Sequence, residues 1–306
     1  MVNEKTLMYE AATLYYEKKL TQQEIAGHMK LSRQTVSRLL NDAIREKIVE
    51  IRIHNPEENR KVLEGRLCRT FGISRCVVCS TGSGDGELRR LMTVRAAVDY
   101  LLPAFQKGGL RIAVSWGRTV QEFIRTLPET PSVGSTVFPL FGATDSEKAY
   151  FSSNELARKL ADKLDATLKC AWFPYMAESR EEWALVKQLS CYRKMQEMWS
   201  TADIAILGIG NTDILEVFGE TFGYSRIRSQ VIGDIATNFF DREGRFADLY
   251  ENTLRASAAD LRNAKETVAI ACGDEKAEAI GAALRTRVID TLITDELTAR
   301  IILENC

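Results

Sequence analysis

Residues 21–53, T-Q-Q-E-I-A-G-H-M-K-L-S-R-Q-T-V-S-R-L-L-N-D-A-I-R-E-K-I-V-E-I-R-I, predict two short helices joined by a tight turn and followed by a β-strand. Thr21 and Glu24 have the spacing of a capping box, in which two side chains satisfy the free amides of a first helical turn. Ser32 is placed to cap the second helix. Residues 49–53 alternate apolar and polar side chains, which predicts a short wing strand.

The second helix combines an apolar face with a polar one. Val36, Leu39 and Leu40 recur at helical spacing and predict the buried face. Arginine can donate two bonds to guanine, glutamine can pair with adenine, and serine or threonine can reach a base edge or a phosphate. Any helical hairpin can have a solvated polar face, but here two caps, a short turn and a polar face coincide. We therefore predict a winged helix-turn-helix whose DNA-binding residues are Thr21, Gln22, Ser32, Arg33, Gln34, Thr35, Ser37 and Arg38.

The composition is that of a globular protein of about two domains. The chain has 306 residues, 45% of them hydrophobic, so it can form a sizeable core. The net charge is −1. Residues 1–54 carry 9 Lys+Arg and 7 Asp+Glu, a net +2, and the remaining 32 Lys+Arg and 35 Asp+Glu give −3. Because this contrast is mild, we expect several copies of the DNA-binding module to act together.

The sequence predicts a cytoplasmic protein without a resident metal or cofactor. No signal peptide is evident, and no apolar run approaches the ~18–20 residues of a membrane span. Seven scattered cysteines suit a reducing compartment. Cys76 and Cys79 have the separation of a zinc-ligand pair, but they fall in an expected strand, with no second pair and no nearby histidine.

After residue 55, short apolar segments alternate with longer helical patterns, which is typical of a doubly wound, mostly parallel α/β sheet. We predict a DNA-binding domain of residues 1–54, a linker at residues 54–58 and an effector and oligomerisation domain of residues 55–306. Residues 179–200 predict one long helix. Ligands in such folds bind beyond the carboxyl ends of the strands. The expected strands are residues 76–80, 111–115, 136–140, 168–172, 204–207, 267–271 and 291–294.

Three of the expected strand ends carry residues that could bind a ligand. At residues 115–119 a strand meets a helix, where free amides and the helix dipole favour an anion, although the same residues could form a structural turn with Trp116 in the core. At residues 273–276 a lysine lies in the first turn of a helix, which is unfavourable unless an anion lies between them. Residues 142–144 form a flexible loop at a third end. The candidate residues are Ser115, Trp116, Gly117, Arg118, Thr119, Gly142, Ala143, Thr144, Gly273 and Lys276.

A carboxylate follows a glycine in the apolar segment of residues 231–244. Asp234 could accept hydrogen bonds from sugar hydroxyls, or it could cap a helix that follows it. Gly208 and Gly210 form a glycine pair at another strand end, but two glycines alone are weak evidence for a nucleotide.

Six segments of the chain together resemble the SorC family of bacterial sugar-responsive transcription regulators. They are L-T-Q-Q-E-I-A (residues 20–26), S-W-G-R-T-V (115–120), L-G-I-G (207–210), G-D-I-A-T-N-F-F-D-R-E-G (233–244), G-D-E-K-A-E-A-I-G-A-A-L (273–284) and L-I-T-D-E-L-T-A (292–299). The resemblance covers nearly the whole chain. It implies a winged helix-turn-helix, an effector domain similar to sugar-phosphate isomerases and deaminases, and a homotetramer whose DNA binding changes with a sugar or sugar phosphate.

The resemblance also implies roles for single residues. Residues 115–119 and Lys276 would form the anion-binding side of the effector site, residues 142–144 and Asn154 would face the pocket, and Asp234 would bind sugar hydroxyls. Phe141 departs from the pattern, since some relatives have a basic residue before this glycine. Phenylalanine can neither bind phosphate nor form a Schiff base, so the phosphorylation state of the effector stays open.

Two functions of different class fit these patterns. One is a regulator of a carbohydrate-catabolism operon whose operator affinity changes with a bound effector. The alternative is a phosphosugar isomerase- or deaminase-like enzyme fused to a DNA-binding module. Ring opening and proton transfer at neutral pH usually use a histidine. The two histidines are His28 and His54, so residues 55–306 contain none and the sequence favours a sensor over an enzyme.

Overall fold

The structure, a computed structural model, describes residues 4–50, 56–80, 85–144, 149–211, 230–247 and 252–306. The chain divides into two compact units, Met1–Pro56 and Glu57–Cys306. The boundary expected from the sequence, between residues 54 and 55, lies two residues before this division.

The N-terminal unit is a small helical domain. Its elements are α1 (Glu4–Ala12), which continues as a π-helix (Thr13–Glu17), α2 (Gln22–Met29) and α3 (Arg33–Arg45). Its core is a separate apolar cluster made of Met8, Ala11, Ala12, Ile25, Ala26, Val36, Leu39, Leu40 and Ala43. The inward-facing residues expected of the second helix are therefore the buried ones.

The predicted helix caps are confirmed. The Thr21 amide donates to the Glu24 carboxylate at 2.8 Å, and the Glu24 amide donates to Thr21 Oγ1 at 3.3 Å, which completes the capping box. Ser32 Oγ accepts from the Thr35 amide at 3.1 Å. Lys30 ends α2 in the left-handed conformation, so the turn is as short as expected. Val49 and Glu50 of the expected wing are not in a strand, and residues 51–53 lie outside the described residues.

The described residues of the C-terminal unit form a mostly parallel sheet of nine strands. The strands are β1 (Arg75–Cys79), β2 (Arg111–Val114), β3 (Thr136–Pro139), β4 (Thr167–Leu168), β5 (Ile204–Asn211), β6 (Gly233–Ile235), β7 (Asn238–Phe240), β8 (Glu266–Ile270) and β9 (Thr291–Asp295). The strands run parallel in the order β1-β9-β8-β5-β2-β3-β4, and the hairpin β6–β7 pairs antiparallel with the end of β5. The predicted α/β class is confirmed.

The described helices of this unit are α4 (Pro56–Phe71), α5 (Gly86–Lys107), α6 (Arg118–Thr126), α7 (Ser153–Leu164), α8 (Arg180–Gln188), α9 (Ser190–Trp199), α10 (Ala258–Asn263), α11 (Ala277–Arg285) and α12 (Glu296–Glu304). Some of them pack on the sheet, in two groups. In one group α5 packs on β1, β8 and β9, α6 on β5 and α7 on β2 and β3; in the other, α11 packs on β5 and β6 and α12 on β1 and β9. The division between the two units falls within the expected linker, and residues 56–58 of that segment form the first turn of α4, because proline is a favoured first residue of a helix.

Two further expectations need correction. The strand expected at residues 168–172 ends at Leu168, because Asn154 takes both the amide and the carbonyl of Ala171 at 2.9 and 3.0 Å and the chain leaves the sheet edge. Trp172 is consequently 77% exposed. The single helix expected at residues 179–200 is two helices, since Leu189 adopts an extended conformation between them.

The strand order reverses between β2 and β5. After β2 the chain adds β3 and β4 on one side, whereas β5, β8 and β9 lie on the other. The loops that follow β2 and β5 therefore leave the sheet in opposite directions, and a crevice forms between them at the carboxyl ends.

We predict that Gly142→Ala destabilises this unit by about 1–3 kcal/mol, because overpacking forces the backbone apart. A Cβ on Gly142 would lie 2.2 Å from the Pro174 carbonyl oxygen. Gly281→Ala in α11 is the matched control, since its Cβ would meet Ile302 at an ordinary 3.7 Å. Urea unfolding measures both, and equal stability of the two variants would contradict the packing argument.

Candidate functional site

A cavity of about 530 Å³ lies at the strand-order reversal. Its wall is formed by the segments after β2 and β8, the end of β5, the hairpin β6–β7 and the first turn of α5. The volume is in the range of small-molecule sites. Eight residues singled out from the sequence line it: Ser115, Trp116, Gly117, Arg118, Thr119, Asp234, Gly273 and Lys276.

The turn between β2 and α6 presents a helix N-terminus to this cavity. Gly117 has a φ of 114°, which favours glycine, and its amide donates to the Tyr150 carbonyl at 2.7 Å. The N-cap of α6 is Gly117, which has no side chain, so among the described residues no side-chain cap accepts from the first amides of this helix. The Arg118 guanidinium lies 5.7 Å from the centre of the Tyr150 ring. Free amides, a helix dipole and a cation thus meet at one end of the cavity.

An aromatic cluster fixes this turn from behind. Trp116 stacks on Phe141 with ring centres 4.2 Å apart, and Phe151 and Tyr175 meet its edge at 5.5 and 5.1 Å. Trp116 is 4% exposed, so it is a core residue that also lines the cavity. Phe141 is completely buried and is not part of the lining, so its side chain supports the wall and does not face the cavity.

Four expected pocket residues lie outside the cavity lining: Gly142, Ala143, Thr144 and Asn154. The backbone of Gly142 and Ala143 bonds to Leu254, Phe173 and Tyr175, which ties this loop to its neighbours. The Thr144 hydroxyl donates to the Phe151 carbonyl at 2.5 Å. The Asn154 amide group is used by the Ala171 backbone. Their polar groups are engaged in shaping the wall.

Asp234 lies in β6, two residues before the first residue of a strained two-residue turn. Ala236 and Thr237 have φ values of 48° and 55°, as a type I′ hairpin requires, although neither is glycine or asparagine. Asp234 Oδ2 accepts from the Thr237 amide at 2.9 Å and so stabilises this turn. The expected helix after Asp234 is wrong, because the chain forms the hairpin β6–β7 instead.

The other carboxylate oxygen of Asp234, Oδ1, is buried and has no hydrogen-bond partner among the described residues. Asp234 is 4% exposed and is one of the residues that line the cavity. A Cβ on Gly210 would lie 1.9 Å from this oxygen, so only glycine fits there. Burial raises the pKa of Asp234 to about 6, against the opposing effects of the Thr237 amide and the charges of Lys276 and Arg255. This carboxylate is poised to accept hydrogen bonds from a ligand.

Lys276 lies on a short 3₁₀ turn, Asp274–Lys276, before α11. The α-helix thus begins at Ala277, one residue later than expected. The Gly273 amide donates to Thr298 Oγ1 at 2.9 Å, which anchors the turn to α12. Like α6, α11 has no side-chain cap, and its N-cap is the lysine itself. The lysine and the helix N-terminus therefore lie at the same point of the chain, where an anion between them would be favourable.

Several residues that line the cavity have no specific signal in the sequence. Residues 208–211 line it because β5 runs beyond its parallel partners to pair with β6, and a glycine pair is too common in sequences to indicate a site. Arg89 and Arg90 of α5 and Tyr150 also line it. The main partner of Arg89 is Asp295, 206 residues away, so no local pattern could have found this contact.

The described part of the chain contains neither a cluster of metal-ligand residues nor a helix that could cross a membrane. No group of three or more His, Cys, Asp or Glu residues within it could hold a metal ion. All seven cysteines are free thiols. Among the described helices, none combines the length and apolar character of a transmembrane segment.

Comparison with known proteins shows which family this chain belongs to. Residues 55–304 match the family model described as "Putative sugar-binding domain", and residues 12–46 match that of sigma-70, region 4. The sorbitol operon regulator of Klebsiella pneumoniae is 29% identical over 97% of this chain and 98% of its own. The deoxyribonucleoside regulator of Bacillus subtilis is 26% identical over 98% and 97%.

Solved structures agree with these matches. The crystal structure of the full-length sorbitol operon regulator SorC from Klebsiella pneumoniae superposes with a TM-score of 0.73 at 28% identity, covering 97% of this chain and 98% of that one. The relatives are named as transcription regulators, in line with a non-enzymatic role. The chain belongs to the SorC family of sugar-responsive transcription regulators and combines a helix-turn-helix with a sugar-binding domain.

Proposed function

We propose that this regulator binds the operator of a carbohydrate-catabolism operon and that a sugar or sugar phosphate in the cavity changes its operator affinity. The observation that carries the proposal is Asp234, a buried carboxylate that lines the cavity and whose Oδ1 has no hydrogen-bond partner among the described residues. A buried acceptor without a partner is costly, and a ligand hydroxyl would satisfy it. The relatives' names, a sorbitol and a deoxyribonucleoside regulator, support a polyhydroxylated effector.

The effector would span two chemically different ends of the cavity. Its hydroxyls would donate to Asp234 Oδ1. An anionic group or a further hydroxyl would accept from the uncapped first turn of α6, with Arg118 and Lys276 supplying charge. Ser115 and Thr119 would contribute hydroxyl donors. No resident cofactor is needed for such binding.

A sensor explains this site better than an enzyme. Residues 55–306 contain no histidine, so proton transfer would depend on other side chains of the cavity, among them Asp234 and Lys276. Their roles as acceptor and counter-charge suffice for recognition, and ligand binding that differs between two states of the protein is enough to change DNA affinity.

We propose that α3 is the recognition helix. The Arg33, Gln34 and Arg38 side chains are exposed and make no ion pair among the described residues. The hydroxyls of Thr21, Ser32 and Thr35 are engaged in helix caps, so they would position the helices more than read bases. Gln22 and Ser37, partly exposed, would contact phosphates or base edges.

The homotetramer stays a proposal, and exposed apolar side chains support association of copies. Trp172, Leu185 and Leu189 are 77%, 63% and 49% exposed. Leu185 and Leu189 lie one helical turn apart, and Cys191 Sγ lies 3.8 Å from the Trp172 carbonyl, which brings the three into one region. Neighbouring exposed apolar residues mark interaction surfaces.

We predict that Arg38→Ala weakens operator binding by about 1–3 kcal/mol, roughly 5–150-fold, because a base-reading arginine is lost. The measurement is fluorescence anisotropy with a DNA site selected by the wild-type protein from a random library. Arg45→Ala is the control on the same helix, since Arg45 is 72% exposed and paired with Asp42 at 2.8 Å. Full affinity of Arg38→Ala would remove this residue from the DNA contacts.

We predict that Asp234→Asn makes the protein more stable than wild type near neutral pH. Asp234 binds its proton more tightly when folded, with a pKa of about 6 against 3.8, so its contribution is favourable below pH ~4 and is lost as the pH rises through 6. The difference approaches about 3 kcal/mol above that pH. Urea unfolding from pH 4.5 to 7.5 tests this, with the exposed Asp99→Asn as control. A pH-independent difference would contradict the burial argument.

We predict that Lys276→Ala abolishes the effector response but leaves DNA binding without effector unchanged. A thermal-melt screen of common sugars, polyols and their phosphates first identifies the ligand, since a hundredfold excess over Kd stabilises the folded protein by about 2.7 kcal/mol. Lys265→Ala is the control, because this exposed lysine pairs with Asp203 outside the cavity lining. An unchanged dose response in Lys276→Ala would place the effector elsewhere.

A further inference from the structure

Arg89 lines the cavity and carries a positive charge that is largely buried. It lies in the first turn of α5, where the helix dipole disfavours a cation, and it is 7% exposed. Burial acts to lower the pKa of Arg89, but the hydrogen bonds and charges of Asp274 and Asp295 outweigh it and raise the pKa. A guanidinium in this place is retained by its anionic partners.

One side of the Arg89 guanidinium is bound to a buried carboxylate, that of Asp295. Asp295 is completely buried and caps α12, accepting from the Leu297 and Thr298 amides at 3.0 and 3.1 Å. Arg89 Nε and Nη2 lie 3.0 and 2.9 Å from its Oδ1. Because a buried carboxylate without a counter-charge is strongly destabilising, Asp295 holds Arg89 in place.

The other side is exchangeable. Arg89 Nη2 also lies 2.7 Å from Asp274 Oδ1 and 3.0 Å from Thr298 Oγ1, so it has three acceptors for two hydrogens. Asp274 is the exposed one, with 53% of its side chain accessible, and exposed ion pairs contribute little stability. None of the hydrogen bonds and ion pairs among the described residues uses Nη1.

We propose that Arg89 binds an anionic group of the effector and that Asp274 occupies Arg89 in the ligand-free chain as an internal competitor. The proposal rests on the proposed function and specifies its effector as a phosphorylated or otherwise anionic sugar. An oxyanion that replaces Asp274 would bind two guanidinium nitrogens at once, the geometry in which arginine binds phosphate best.

The exchange would also move the turn that carries Lys276. Asp274 and Lys276 belong to one 3₁₀ turn, which is held to the rest of the cavity by the Asp274–Arg89 pair and by the Gly273–Thr298 bond. Displacing Asp274 leaves only the second of these two contacts. Anion binding is thereby converted into a displacement of the wall.

The test compares inorganic phosphate binding to wild type, Asp274→Asn and Glu275→Gln by isothermal titration on the full chain. Asp274→Asn removes the competing charge and raises phosphate affinity roughly fivefold, the effect of one unit charge near a solvated contact. Glu275 is an acidic neighbour that is also exposed and lines the cavity, and none of the ion pairs among the described residues joins it to Arg89, so Glu275→Gln gives a smaller gain. Unchanged or weaker phosphate binding in Asp274→Asn overturns the proposal, and equal gains in both variants also overturn it.

A second variant tests Arg89 directly. Arg89→Lys keeps a positive charge for Asp295 but lacks the forked donors, so phosphate affinity falls while the melting temperature reports an intact fold. Unaltered phosphate binding by folded Arg89→Lys overturns the proposal. If phosphate fails to bind while a neutral polyol shifts the melting temperature, this inference is wrong and the proposed function stands. If no sugar or sugar phosphate alters operator binding, the proposed function fails, whereas the phosphate affinities remain a separate test of Arg89.

Discussion

The parallel pairing of β2 with β5 is the constraint on which the effector domain depends. Ile112 aligns with Ile204 and Val114 with Ile206, and the Ser115 amide continues the ladder to the Ile206 carbonyl at 2.9 Å. This pairing joins two strands whose following segments diverge, so it opens a crevice at the carboxyl ends. The uncapped N-terminus of α6, the glycines of β5 and the β6–β7 hairpin are all placed by it. A cavity with these walls is a property of the strand order.

Within that cavity, the residues proposed to bind the effector also destabilise the ligand-free chain. Asp234 is buried with one oxygen that has no partner among the described residues, its turn uses two non-glycine residues at positive φ, and Lys276 stands at a helix N-terminus. Each of these features costs stability, and a hydroxyl at Asp234 or an anion at Lys276 would offset part of that cost. Strain and unpaired charge at one site, inside an otherwise well-packed domain, are what a ligand-responsive element requires.

Local patterns in the sequence predicted local structure well. The caps at Thr21 and Ser32, the parallel sheet and the anion-favouring turn at residues 115–119 depend on residues close in sequence, so spacing alone identified them. The β6–β7 hairpin escaped because its turn, Ala236–Thr237, lacks the usual Asn-Gly signal and is stabilised by Asp234. The Arg89–Asp295 contact and the wall-forming role of Asn154 depend on distant partners, which periodicity cannot show. Expected pocket residues 142–144 lie behind the wall for the same reason.

In a regulator of this kind, cavity occupancy and DNA binding are energetically coupled. One experiment tests this coupling: operator DNA is titrated with the protein at zero and saturating effector, and the effector is then titrated with the protein free and bound to DNA. We expect the effector to change DNA affinity by some factor and DNA to change effector affinity by the same factor, because coupling free energy is reciprocal. Identical operator affinity with and without saturating effector would contradict it.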